Sequence, residues 1–211
     1  MHIGLDFDNT IACFDRLFHR IAVECGLIPG SVPANKKAVR DFLRACGRES
    51  EWTQLQGVVY GPSMAEADLF PGVLEFLAAC RAASVPVSIV SHKTRIPASG
   101  EPYDLHAAAL RWIEARSLLG DGIAGLRRDG IYFEPDRRRK AERIRQLGCT
   151  HFIDDLPEFL EEAFLPPDVI WILFDPHDEN TSDRIGTFRL RSWPEAAAWL
   201  RGSKSHPKIV L

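Results

Sequence analysis

Short apolar runs alternate along this chain with segments in which apolar residues recur every three or four positions. The runs predict strands, at residues 3–7, 85–91, 131–133, 151–154, 169–174 and 187–190. The segments between them predict helices, at residues 71–83, 104–119, 136–147, 157–164 and 194–200. Strands that alternate with helices are typical of a mostly parallel sheet with helices on both faces, so the predicted fold class is α/β.

Residues 14–68 break this alternation. Their apolar residues follow helical spacing at residues 14–25, 35–46 and 49–59, and only Val58–Tyr60 is ambiguous between helix and strand. We therefore expect a compact helical block inserted after the first strand.

The composition excludes several functional classes. A net charge of −3 gives no general attraction to nucleic acid or to an anionic membrane, and no nucleic-acid recognition motif is present. The chain enters a predicted strand at once, without a signal peptide, and no apolar run is long enough to span a bilayer. We expect a cytoplasmic protein that binds neither nucleic acid nor membrane.

The five cysteines are dispersed, with no Cys-x-x-Cys spacing. This pattern argues against a disulfide framework and against a zinc site. The cysteines are expected to be small core residues in a reducing cytosol.

Two carboxylates follow the first predicted strand. Asp6 and Asp8 lie two residues apart, and residues at that spacing on a strand share a face. Two crowded carboxylates repel each other unless a cation or a proton joins them, and Mg²⁺ prefers such hard oxygen ligands. The pair therefore predicts a metal site, or a nucleophile beside a general acid/base.

Other polar residues lie at predicted strand ends, namely Ser91, Asp154, Asp155 and Asp175. Parallel sheets bind ligands at the carboxyl ends of their strands. These residues could therefore converge on one site with Asp6 and Asp8.

The segment Ile3–Ile11 resembles the first motif of the haloacid dehalogenase (HAD) superfamily, an Asp-x-Asp-x-Thr that follows an apolar strand. Three further motifs follow in the family's order, carried by Ser91, by Lys140 near a helix start, and by Phe152–Asp155. The resemblance covers the whole chain. It implies a Rossmann-like core at residues 1–13 and 69–211, with residues 14–68 as a small helical cap.

The resemblance also implies catalytic roles. Asp6 is expected to attack a phosphoryl group and form an aspartyl-phosphate, while Asp8 protonates the leaving oxygen and then activates water. Ser91 would hold a phosphate oxygen. Lys140 would neutralise the phosphoryl group and the nucleophile.

Two alternatives to Lys140 remain open at this point. Arg138 or Arg139 could point inward in its place, although most of this basic run is expected to be a solvated helix face. Lys93 is a weaker rival, which could instead contact substrate. Thr10 and His92 are the other predicted substrate-binding residues, and Thr10 would also help to orient its loop.

Magnesium is the cofactor that the resemblance implies. The predicted metal set is Asp6, Asp8, Asp154 and Asp155, with Asp8 contributing its backbone carbonyl. Asp155 is expected to bind the ion directly, and Asp154 through water or an outer hydrogen bond.

The resemblance favours a phosphatase, because dehalogenases and ATPase pumps lack an acid at the position of Asp8. A helical cap usually accompanies small phosphorylated metabolites, such as sugar phosphates or nucleotides, and Ile153–Pro157 is similar to a run in deoxyribonucleotidase-like members. A sugar phosphomutase and a non-catalytic binding module are the alternatives. The oligomeric state stays open.

Overall fold

The computed structural model describes residues 1–179 and 188–203. Its strands are β1 (Ile3–Leu5), β2 (Ala12–Cys13), β3 (Asp68–Leu69), β4 (Val87–His92), β5 (Ile131–Glu134), β6 (His151–Asp154), β7 (Ile170–Phe174) and β8 (Phe188–Leu190). Its α-helices are α1 (Asp15–Glu24), α2 (Lys36–Ala45), α3 (Glu49–Tyr60), α4 (Val73–Ala82), α5 (Leu105–Ala115), α6 (Arg137–Gln146), α7 (Pro157–Leu160) and α8 (Trp193–Ser203).

The chain divides into two compact units. The first contains Met1–Ile11, Phe70–His92 and the described residues from Ser117 onward, and the second contains Ala12–Leu69 and Lys93–Arg116. The second unit thus includes a segment that the sequence analysis assigned to the α/β core. The predicted boundaries, with a core at 1–13 and 69–211 and a cap at 14–68, stay a prediction.

A six-stranded sheet organises the first unit. Its strand order is β5-β4-β1-β6-β7-β8, and every pairing is parallel. This sheet, with helices around it, confirms the predicted α/β, Rossmann-like fold. The predicted last strand began at Thr187, which lies outside the described residues.

Burial of apolar side chains on the sheet explains why these short runs form strands. Ile3 and Leu5 of β1 are fully buried, as are Ile153 of β6 and Ile172 of β7. A strand covered on both faces must be apolar at successive positions, which is the pattern that these runs show.

Helices α1, α2, α3 and α5 belong to the second unit, together with the antiparallel pair of β2 and β3. An aromatic cluster packs inside it, with ring centroids 5.0 Å apart for both Phe18–Trp52 and Phe14–Tyr60. The ambiguous residues Val58–Tyr60 are helical. The β2–β3 pair was not predicted, because two residues per strand give no readable periodicity.

The structure also bears on the expectations for the cysteines and for membrane-spanning segments. Cys80 and Cys149 are buried, but Cys25 and Cys46 are exposed, so the expectation of core cysteines is wrong for those two. Among the described residues, no helix has the length and apolar character required to cross a bilayer.

Candidate active site

The middle of the sheet places Asp6. It follows β1, which lies between β4 and β6, and its backbone N–H donates to the Ile153 carbonyl at 2.9 Å. Because the three strands are parallel, their carboxyl ends lie at one edge. Asp6 is only 5% exposed there.

The amino-terminal part of α6 brings a lysine to Asp6. The Lys140 ammonium donates to Asp6 Oδ1 at 2.5 Å and to Asp154 Oδ2 at 2.7 Å. The two arginines weighed as alternatives have other partners, since Arg139 pairs with Glu142 and the Arg138 guanidinium lies 5.1 Å from the Phe164 ring centroid. Lys140 is therefore the basic residue of this run that reaches Asp6.

Local capping explains how α6 holds this lysine. The Asp136 side chain accepts a hydrogen bond from the Arg139 N–H at 2.8 Å, and its carbonyl accepts one from the Lys140 N–H at 3.0 Å. An aspartate at this position satisfies N–H groups that have no partner within the helix. The cap thereby fixes the first turn of α6, which leads to Lys140.

Burial and neighbouring charges together set the pKa values of Asp6 and Lys140. Loss of water raises the pKa of Asp6 to about 7, against the lowering effect of Lys140, while the charges of Asp154 and Asp8 raise it further. Burial alone would lower the pKa of Lys140, but the charges of Asp154 and Asp6 outweigh it and raise that pKa above its ordinary value. The lysine is thus held in its charged form between two carboxylates.

Three carboxylates converge on this position. One oxygen each of Asp6, Asp154 and Asp155 lies within 4.8 Å of the others, and the Asp8 carboxylate is not a member of this group. One ammonium among three carboxylates leaves an excess of negative charge, which is costly to bury without a cation. The donor set, made only of hard oxygen atoms, fits a divalent ion such as Mg²⁺.

The two motif-four aspartates differ in their contacts. Asp154 is fully buried, and its oxygens accept hydrogen bonds from Lys140 and, at 3.0 Å, from the Leu156 N–H. Asp155 is half-buried, and its Oδ1 accepts a hydrogen bond from the Thr10 hydroxyl at 3.4 Å.

Ser91 and His92 close β4, beside the strand that leads to Asp6. Ser91 is 1% exposed, and it lies within the strand and not after it. Part of His92 reaches solvent, but its ring is partly desolvated, and this desolvation, with the charges of Lys140 and Arg137, lowers its pKa. The imidazole is therefore neutral near neutral pH.

Thr10 and Lys93 lie in different units. Thr10 is fully buried in the first unit, where its hydroxyl contacts Asp155. Lys93 belongs to the second unit, where it is 4% exposed and its ammonium lies 4.4 Å from the Tyr60 ring centroid. Their predicted roles in substrate binding stay predictions.

One residue that contacts this region was not predicted from the sequence. The Trp193 indole donates to the Thr10 carbonyl at 3.0 Å and is 1% exposed. The contact spans 183 positions of the chain, and no motif marks it.

Solved structures of other proteins are similar to this chain. A HAD family hydrolase from Deinococcus radiodurans R1, with bound phosphate and sodium, has 18% sequence identity and a TM-score of 0.59 over 96% of each chain. A dehalogenase has 13% identity and a TM-score of 0.56 over 94% of this chain and 96% of its own. A HAD-superfamily hydrolase from Ehrlichia chaffeensis has 14% identity and a TM-score of 0.53 over 95% and 96%.

No protein-family model and no curated protein sequence matches the chain. At these low identities, structural similarity carries the comparison. The chain has the fold of the HAD-superfamily hydrolases.

Proposed function

We propose that this protein is a magnesium-dependent phosphatase that hydrolyses a small phosphorylated metabolite through an aspartyl-phosphate intermediate. One observation carries the proposal, namely the buried Lys140 ammonium between Asp6 and Asp154, with Asp155 beside them. A lysine held in this way positions a nucleophilic carboxylate and offsets the charge of an incoming phosphoryl group. The HAD-type fold and the neighbour with bound phosphate support the same chemistry.

In the first step, an Asp6 oxygen forms a bond to phosphorus, and the bond from phosphorus to the leaving oxygen breaks. Asp8 gives its proton to that oxygen, so that a neutral alcohol departs. Asp8 then takes a proton from water, whose oxygen attacks phosphorus and breaks the bond to Asp6. Inorganic phosphate is released, and both carboxylates return to their starting forms.

Asp6, the Asp8 carbonyl and Asp155 are the groups that we assign to magnesium. A bound magnesium ion would offset the negative charge of phosphate and carboxylates. The contacts of Asp154 support an indirect role, because Lys140 and the Leu156 N–H already engage its two oxygens. Ser91 is assigned to a phosphate oxygen.

Asp8 distinguishes this proposal from a dehalogenase, the activity named for one neighbour. A dehalogenase needs no acid to protonate an oxygen leaving group, whereas phosphatases and phosphomutases do. A sugar phosphomutase of the same fold is the alternative enzyme, and a binding module is the alternative without catalysis.

The test is phosphate release, with and without Mg²⁺, from sugar phosphates, nucleoside monophosphates and small phosphorylated acids. Asp6→Asn removes the nucleophile, and Asp15→Asn is the matched control, because Asp15 is an equally buried carboxylate in the second unit that accepts a hydrogen bond from the Lys36 N–H at 2.9 Å. We expect Mg²⁺-dependent release by the wild type and by Asp15→Asn, and none by Asp6→Asn.

Three results would count against the proposal. Release that persists in Asp6→Asn would exclude the aspartyl-phosphate route. Magnesium binding without release, together with interconversion of sugar phosphate isomers, would support the phosphomutase. Absence of both binding and release would support the binding module.

A further inference from the structure

We infer that Trp193, at the start of α8, is a positioning residue for the metal site and acts through Thr10 on Asp155. The inference rests on the proposed function. It assigns a role to α8, which carries none of the motif residues.

The first link is a buried hydrogen bond. The Trp193 indole N–H donates to the Thr10 carbonyl at 3.0 Å, with the tryptophan 1% exposed and Thr10 fully buried. Water cannot replace this donor in a buried place, so its loss leaves the Thr10 carbonyl without compensation. The indole therefore fixes the position of the Thr10 backbone.

The second link joins Thr10 to the candidate metal ligand. The same residue that accepts from Trp193 donates through its hydroxyl to Asp155 Oδ1 at 3.4 Å. Hydrogen bonds to ligating carboxylates orient them and set metal affinity. A shift of the Thr10 backbone would thus move the hydroxyl that orients Asp155.

The loop that carries Thr10 needs such support. Asn9 adopts φ +58°, a left-handed conformation that is unfavourable for residues other than glycine and is best tolerated by asparagine and aspartate. The turn closes through the Ile11 N–H, which donates to the Phe7 carbonyl at 3.0 Å. A strained turn keeps its shape only when its surroundings hold it, and Trp193 is one of the groups that do so.

Trp193 is itself held firmly. Its ring centroid lies 4.9 Å from that of Phe76 and 5.2 Å from that of Phe174. Gly72, at φ +89°, comes so close that an added Cβ would lie 2.6 Å from Pro194 Cδ and 3.0 Å from Trp193 Cβ. The indole thus has little freedom to follow a displaced loop.

The experiment measures the dissociation constant of MgCl₂ by isothermal titration of the whole chain, without substrate. Trp193→Phe keeps an aromatic ring and removes the N–H. Trp112→Phe is the matched control, because Trp112 is 2% exposed and donates to the Ala67 carbonyl at 2.9 Å within the second unit. We expect Trp193→Phe to weaken magnesium binding by roughly three- to tenfold, and Trp112→Phe to leave it unchanged.

Variants of Thr10 test the route. Thr10→Val should weaken magnesium binding by roughly tenfold, whereas Thr10→Ser, which keeps the hydroxyl, should bind as the wild type does. If Trp193 acts through Thr10, the double variant with Thr10→Val and Trp193→Phe binds no more weakly than Thr10→Val alone.

The outcomes separate this inference from the proposed function. Unchanged affinity in Trp193→Phe, or an equal loss in Trp112→Phe, overturns the role of Trp193 and leaves the phosphatase intact. Additive losses in the double variant overturn the route through Thr10. A wild type that binds no magnesium overturns the metal-dependent function, and the inference with it.

Discussion

Two ion pairs of the same length, one in each unit, differ in how far their side chains are buried. In the first unit, Lys140 Nζ lies 2.7 Å from Asp154 Oδ2, and the two side chains are 2% and 0% exposed. In the second unit, Arg44 Nε lies 2.7 Å from Glu49 Oε2, but the two side chains are 49% and 56% exposed. Distance alone therefore does not show which pair matters.

The difference lies in what each charge would lose without its partner. An exposed arginine or glutamate regains water when the pair breaks, so such a pair contributes little. A carboxylate buried beside other carboxylates regains nothing and stays costly. The first unit retains this unfavourable concentration of buried charge, which marks it as a candidate functional site.

The largest effect is expected from Lys140→Met. It leaves Asp6 and Asp154 buried without their ammonium, and removal of one partner from a buried pair costs on the order of 3–5 kcal/mol. Turnover should fall by at least roughly 10²-fold, since the lysine offsets charge in the reaction. Urea unfolding and phosphate release measure the two effects.

Arg139→Met is the matched control for this change. It removes a positive charge from the same helix, where the Arg139 side chain is 66% exposed. Equal losses of stability in the two variants would contradict the distinction between buried and exposed charge.

A smaller effect is expected from pH. Because burial raises the pKa of Asp6 to about 7, the folded metal-free chain holds the Asp6 proton more tightly than the unfolded chain does. Asp6 therefore stabilises the fold at low pH, and this contribution is lost as the pH rises through about 7. Magnesium competes with that proton, so the increase in Tm that it causes should be larger near about pH 8 than near about pH 6.

Thermal unfolding at both pH values, with and without MgCl₂, measures this dependence. Asp6→Asn cannot ionise and should show a flatter response to pH. A magnesium-induced increase in Tm that is the same at both values in the wild type would show that Asp6 is already ionised at the lower one.

The smallest effect is expected in the second unit. Arg44→Gln and Glu49→Gln each break the exposed pair, and we expect no measurable shift of the urea midpoint from either. A clear loss of stability in both variants would show that this exposed pair stabilises the fold as the buried Lys140–Asp154 pair does, and would contradict the distinction between the two pairs.

The sequence was sufficient to predict the sheet and the residues at its strand ends. Asp6 follows one apolar run, and Asp154 and Asp155 end another. In a parallel sheet, acids at the ends of such runs are expected to lie together at the carboxyl edge of the strands. Lys140 was identified by its place in a motif, and its contacts with Asp6 and Asp154 came only from the structure.

Other features left no readable signal. The strands β2 and β3 have two residues each, which is too short for a periodic pattern. A tryptophan such as Trp193 is common in a protein core, so the sequence does not distinguish it from other buried residues. The segment Lys93–Arg116 belongs to the second unit, although its helix α5 follows β4 of the first unit. The spacing of apolar residues predicts a helix with one apolar face, but it does not identify the elements against which that face packs. Pairings across long separations are decided by tertiary packing.

The order of the chain has a consequence for folding. Asp6 is made first, but its lysine partner comes 134 residues later, and the indole that supports Thr10 follows 183 positions after that threonine. Contacts of such separation form late, after large loops have closed. A chain still being synthesised therefore contains Asp6 long before it contains Lys140 and Trp193, so the contacts of the candidate site are complete only after α8 has been made and has packed.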